Sequence, residues 1–133
     1  MNNLKKITIH LGGTPVELKM LYCAAAETGY EQLSGKSSDV FCAQRGTDGV
    51  EKAEVIPPAA KLDDYIKLAI SSIIAAYSRD GQESPVSAEQ ILYDCTSQDV
   101  TLLVTTVLQL RNEWYRIPEV VGSEAKAEET PKN

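Results

Sequence analysis

The chain has 133 residues, 43% of them hydrophobic and 24% charged, with a formal net charge of -6. That suits one globular domain with one modest core. Its only basic pair of note is Lys5-Lys6. An acidic chain of this kind is repelled by nucleic-acid phosphates, and no apolar run reaches the ~18 residues a bilayer demands.

Met1 to Leu11 has neither a long apolar core nor a small-residue cleavage site, so it reads as domain rather than signal peptide. Cys23, Cys42 and Cys95 are odd in number and widely spaced, which fits a reducing compartment and rules out a full disulfide framework. They read as small buried apolar side chains.

Lys5 to Leu11 alternates, with Ile7, Ile9 and Leu11 on one face and Thr8 and His10 on the other. Gly12-Gly13 supplies a tight turn. Thr14 to Lys19 resumes the alternation with Val16 and Leu18 inward, which predicts an opening β-hairpin. From Met20 the period changes. Leu21, Ala24, Ala25 and Thr28 predict a helix from Met20 to Thr28, stopped by Gly29.

Residues 36–60 read as a loop or a second hairpin. Val40 to Ala43 suits a strand or a helical turn, Arg45 to Gly49 a turn, and Val50 to Ile56 a returning strand, with Pro57-Pro58 as a stop. The clearest helix is Leu62 to Ser78. Its stripe is Leu62, Tyr65, Ile66, Ala69, Ile73, Ala76 and Tyr77, while Ile70 and Ile74 widen the apolar arc so that it needs cover on two sides. Asp63-Asp64 in the first turn and Arg79 after the last suit the helix dipole.

Ser87 to Gln90 has the form of a capping box opening a short helix. Thr96 to Asp99 offers a second N-cap for a long helix from about Gln98 to Tyr115. Leu102 and Leu110 lie off its main stripe, and Pro118 bounds it. Residues 119–133 are mostly Glu, Ala, Lys, Thr and Pro, and read as a disordered acidic tail. The expected fold is α+β. Residues 1–118 form a single domain: an N-terminal β-hairpin, with a small antiparallel sheet if strands from 39–56 contribute, packed on three to four α-helices.

Chemistry is sparse. His10 is the sole histidine and sits on an outward strand face, with nothing in the sequence that brings Cys23 or a serine to it. One histidine and no CxxC pair is a poor metal set. Gly12-Gly13-Thr14 lacks the lysine and spacing of a phosphate loop. Asp63 and Asp64 point about 100° apart on a helix and do not converge. No catalytic residue, metal or cofactor is expected. What stands out is apolar arc in excess of one core face on the two long helices. A helical core with a sheet beside it would absorb much of it, and any remainder would serve a partner or a second copy.

The order of signals resembles the tail assembly chaperones of long-tailed bacteriophages and prophages. It comprises the Ile7 to Leu18 hairpin, a helix ending at Thr28-Gly29-Tyr30, and the central Asp63 to Tyr77 helix. Ser87 to Asp94 then leads into the last helix and Arg111 to Pro118. The resemblance spans roughly residues 4–118, apart from Ser34 to Ala60. It implies a non-enzymatic protein that binds the tape measure protein, keeps it soluble while tail tube protein polymerises around it, and is absent from the mature virion. The alternative is a structural virion component such as a head–tail connector or tail terminator. The helix reading nominates Tyr65, Ile70, Ile74, Tyr77, Leu102, Leu110, Trp114 and Tyr115 as protein-binding residues.

Overall fold

The computed structural model describes residues 3–42, 44–45, 55–56 and 58–116. Pro118 and the 119–133 tail lie outside the described residues, as does the proposed turn after Arg45.

Strands β1 (Leu4–Leu11) and β2 (Thr14–Leu21) pair antiparallel in the register Ile9↔Val16 and Ile7↔Leu18. The two residues between them, Gly12 and Gly13, take φ of +57° and +88°. Positive φ at both positions matches the right-handed twist of a hairpin, and only glycine adopts it without strain. Ile9, Leu18 and Met20 are fully buried on the inner face, as alternation predicts. The strand runs further than expected, because Met20 and Leu21 complete β2 instead of starting a helix.

Helix α1 therefore lies later, at Ala24–Ser34, and ends on Gly35 with φ +73°. Gly29 is not its stop. It sits inside the helix where α1 passes α2, and a Cβ there would meet Ser71 at 3.5 Å. The true stop is the next glycine, whose left-handed φ caps the helix and whose N–H donates to Glu31 C=O.

A 3₁₀ turn covers Ser38–Phe41, so the Val40 region takes the helical alternative. Strands β3 (Gln44–Arg45) and β4 (Val55–Ile56) then pair antiparallel. They form a sheet of their own and do not extend the N-terminal hairpin.

Helix α2 (Leu62–Arg79) is the centre of the domain. It packs on α1, β2, α3 and α4. Leu68, Ala69, Ile70, Ser71, Ser72 and Ile73 are buried in succession, so the helix is covered nearly all round. Helix α3 (Ala88–Asp94) opens with the expected box, in which Gln90 N–H donates to Ser87 Oγ and Ser87 N–H to Gln90 Oε1. Helix α4 (Ser97–Tyr115) opens likewise on Thr96 and Asp99. Among the described residues, the α+β architecture is thus one hairpin with four α-helices and a short second ladder.

Two first-turn carboxylates do more than cap. Asp64 is almost fully buried and accepts from Tyr30 hydroxyl at 2.9 Å, Lys36 Nζ at 3.1 Å and Lys61 N–H at 2.9 Å. Asp99 is buried too, held by Thr96 and by His10 Nδ1 at 3.4 Å. Burial pushes both carboxyls up, but the donors around them outweigh it and hold both below the ordinary range. A depressed folded pKa contributes stability that is complete above the unfolded value and lost as pH falls through the folded one. Asp64→Asn is therefore expected to be less stable than the parent at pH 7. The gap should close as pH drops below about 4. Urea melts at pH 7, 4 and 2.5 check this, and a gap that stays constant across that range refutes it.

Candidate protein-binding groove

Helices α1 and α2 approach closely because small residues face each other: Gly29 on α1 and Ser71 on α2. Outside that crossing their surfaces diverge into a groove. One part, about 460 Å³, is floored by Ala25, Gly29, Ser71 and Ala75 and flanked by Leu33 and Ile74. The other, about 640 Å³, runs on past Tyr22, Cys23 and Arg79 to Trp114. Ala25, Ala75 and Ser78 line both, so the two form one trough.

Its rims are open to solvent. Leu33 is 43% exposed and Ile74 46%. Two large aliphatic side chains of different helices, with alanine, glycine and serine between them, leave a concave apolar strip with room for a partner's side chains.

The Trp114 end is tied together by side-chain contacts. Glu27 Oε2 accepts from the hydroxyls of both Tyr22 and Tyr115 at 2.6 Å. Arg111 lies over the Tyr115 ring at 4.6 Å, places Nε 3.9 Å from the same carboxylate oxygen and donates from Nη2 to Cys42 Sγ at 3.3 Å. Trp114 packs edge-on to Tyr22 at 5.4 Å and to Tyr115 at 4.9 Å. Burial first, then the Glu27 carboxylate, push the Tyr22 hydroxyl up, and the same causes push Tyr115 up to about 12. Both stay neutral donors at any ordinary pH.

The eight sequence-nominated residues fall into three groups. Ile70 and Leu110, at 3% and 1% exposure, are core and cannot touch a partner in the folded domain. Both lie off their helix's main stripe, but α2 and α4 are covered on more than one side, so these two off-stripe positions are buried while Ile74 and Leu102 are not. Tyr65, Tyr77, Trp114 and Tyr115 are tied into the fold. Tyr65 packs on Phe41 at 5.3 Å, Tyr77 accepts from Lys19 N–H at 3.2 Å and lies under its ammonium, and Trp114 closes one groove end beside Tyr115. Ile74 and Leu102 are the two genuinely exposed aliphatics, and of these only Ile74 lines the groove.

Sequence reasoning missed Leu33 and the small-residue floor. The signal existed, since Ala25, Gly29 and Leu33 recur at i, i+4. Ending the helix at Gly29 hid it.

His10 is exposed and bonded to Asp99, and among the described residues it bonds no cysteine. Burial and the carboxylates of Asp99 and Asp94 push the Cys95 thiol up, away from the thiolate a nucleophile needs. Cys42 is exposed and Cys23 and Cys95 are half-buried, which corrects the expectation that all three are interior. Among the described residues no group of three or more His, Cys, Asp or Glu side chains could hold a metal. None of the described helices is long and apolar enough to cross a membrane.

No protein-family model, curated protein or solved structure matches the chain.

Proposed function

We propose that this protein is a non-enzymatic assembly chaperone of the phage or prophage tail type, which binds the tape measure protein while tail tube protein polymerises around it. The observation that carries the reading is the open apolar trough between α1 and α2, with Leu33 and Ile74 exposed on its rims. A tape measure is long and largely helical, and its apolar stripe would aggregate in isolation. One such stripe laid into the trough would bury Leu33 and Ile74, with Trp114 as a fixed aromatic stop at the far end. The acidic balance of the chain would keep the pair soluble. The expected setting is the bacterial cytoplasm, and the protein is expected to be missing from the finished virion.

Ile74→Asp tests this directly. The side chain is half exposed, so folding should change by less than about 1 kcal/mol. Co-expressed with the tape measure protein of the same cluster, the parent should raise its soluble yield and co-purify with it. Ile74→Asp should do neither. Equal yields from parent and variant would refute the groove. Detection of the protein in purified virions by mass spectrometry would favour a structural component instead.

A further inference from the structure

The two edges of the N-terminal hairpin are treated differently by the rest of the chain. Lys6 pairs with Lys19 and Thr8 with Glu17. Lys19 N–H points away from β1, since it donates to Tyr77 hydroxyl at 3.2 Å. Lys6–Lys19 is therefore a non-hydrogen-bonded pair, and so, by the two-residue alternation, are Leu4–Leu21, Thr8–Glu17 and His10–Pro15. On β2 this outward edge is interrupted at two points: Pro15 has no N–H, and Lys19 N–H is taken by Tyr77 of α2. On β1 only the tip is closed, where Gly12 N–H donates to Asp94 C=O at 3.2 Å and Leu11 bridges to Cys95.

The outward backbone groups of Leu4, Lys6 and Thr8 have no hydrogen-bond partner among the described residues. Lys5, Lys6 and Thr8 are exposed. Lys5 and Lys6 fall on opposite faces of the strand, and neither makes an ion pair among the described residues. Among the described residues, this stretch thus carries unpaired donors and acceptors with an uncompensated cation on each face, in a chain whose net charge is -6.

We propose that the Leu4 to Thr8 edge of β1 is a second interaction surface, one that accepts an extended acidic segment of a partner protein as an added third strand. Main-chain bonds to Leu4, Lys6 and Thr8 supply the pairing, and Lys5 and Lys6 select carboxylates at neighbouring positions of the incoming strand, one on each face. Lysine on an edge also guards against unwanted pairing. The two roles differ in outcome, because a guard repels every strand whereas a selector admits an acidic one. This surface is separate from the α1–α2 groove, and neither proposal depends on the other.

The test uses the full chain and a capped peptide of alternating glutamate and valine, with alternating lysine and valine as control. Amide exchange is followed residue by residue. The acidic peptide should slow exchange at Leu4, Lys6 and Thr8 and leave Ala25 and Ile74 unchanged, and the basic peptide should do nothing. Lys5→Glu with Lys6→Glu should weaken acidic-peptide binding about tenfold, the effect of reversing two cross-strand charge pairs. Thr8→Pro should abolish it while leaving the β1–β2 ladder intact, since the N–H removed faces outward as Pro15's would. Should Thr8→Pro unfold, the charge-reversed variant and the exchange map still decide. Absent protection in the parent, equal protection by both peptides, or protection that appears with protein concentration alone would overturn the proposal, the last in favour of a second copy.

Discussion

Leu110→Ala and Ile70→Ala are each expected to lower the unfolding free energy by about 2–5 kcal/mol, whereas Ile74→Ala and Leu102→Ala should cost less than about 1 kcal/mol. All four are aliphatic residues off the main stripe of a long helix, so sequence periodicity treats them alike. Their surroundings do not. Leu110 and Ile70 are 1% and 3% exposed and belong to the continuous core that joins β1, β2 and all four helices. Truncation there removes the transfer free energy of the lost methyl groups and leaves a cavity that α2, covered nearly all round, cannot collapse into. Ile74 and Leu102, at 46% and 39% exposure, already meet water over much of their surface, and truncating them encloses no cavity. The same variants sort oppositely for a partner. Under the proposed function, Ile74→Ala should weaken tape-measure binding without unfolding, and Leu110→Ala should lose binding only in proportion to folding. Urea denaturation paired with pull-down from co-expression separates the two axes. Four equal stability losses would mean that the burial pattern is mistaken.

That division shows what was legible in the sequence and what was not. Period-two alternation across Ile7 to Leu18 around Gly12-Gly13 specifies a hairpin, since no other arrangement hides Ile9 and Leu18 together while two glycines close the loop. The boxes at Ser87 and Thr96 are local chemistry and were readable from a four-residue window. The α2 boundaries followed from one long apolar pattern. Gly29 defeated the local rule because its reason is tertiary: it lies where α1 passes close to Ser71 on α2, and a one-dimensional reading cannot see a helix crossing. Met20 and Leu21 failed for a related reason. Their burial in β2 outweighs the helix propensity of the alanines that follow. The groove inherits the first error, as Gln32 and Leu33 of its α1 wall lie beyond the helix end expected at Gly29.

Glu27 is the side chain whose loss should cost most among the polar residues. Its Oε2 accepts hydrogen bonds from the hydroxyls of Tyr22 and Tyr115, each at 2.6 Å, and lies 3.9 Å from Arg111 Nε. The Glu27 and Arg111 side chains are 15% and 11% exposed, and that Nε has no hydrogen-bond partner. Glu27→Ala strips the acceptor from two hydroxyls and leaves a mostly buried guanidinium without a counter-charge. Breaking a buried pair from one side costs about 3–5 kcal/mol; water reaching the half-exposed Tyr115 places this one near about 3 kcal/mol. Glu27→Gln, which keeps an acceptor but no charge, should fall between the variant and the parent. A double-mutant cycle with Tyr22→Phe should give a coupling of about 1–3 kcal/mol, because each partner's loss strands the other. Alkaline titration adds an independent readout. A tyrosine raised by folding contributes stability that is complete below its unfolded value near about 10 and is lost as pH rises toward the folded one. The parent should therefore lose stability above pH ~10 more steeply than Glu27→Ala, in which the carboxylate no longer opposes tyrosinate formation. The groove registers the same event, since Tyr22 and Trp114 form its closed end and Trp114 packs on both tyrosines. Trp114 fluorescence should shift in Glu27→Ala under native conditions. A variant as stable as the parent, with unchanged Trp114 emission and an equal alkaline slope, would show that the cluster is held together by packing alone.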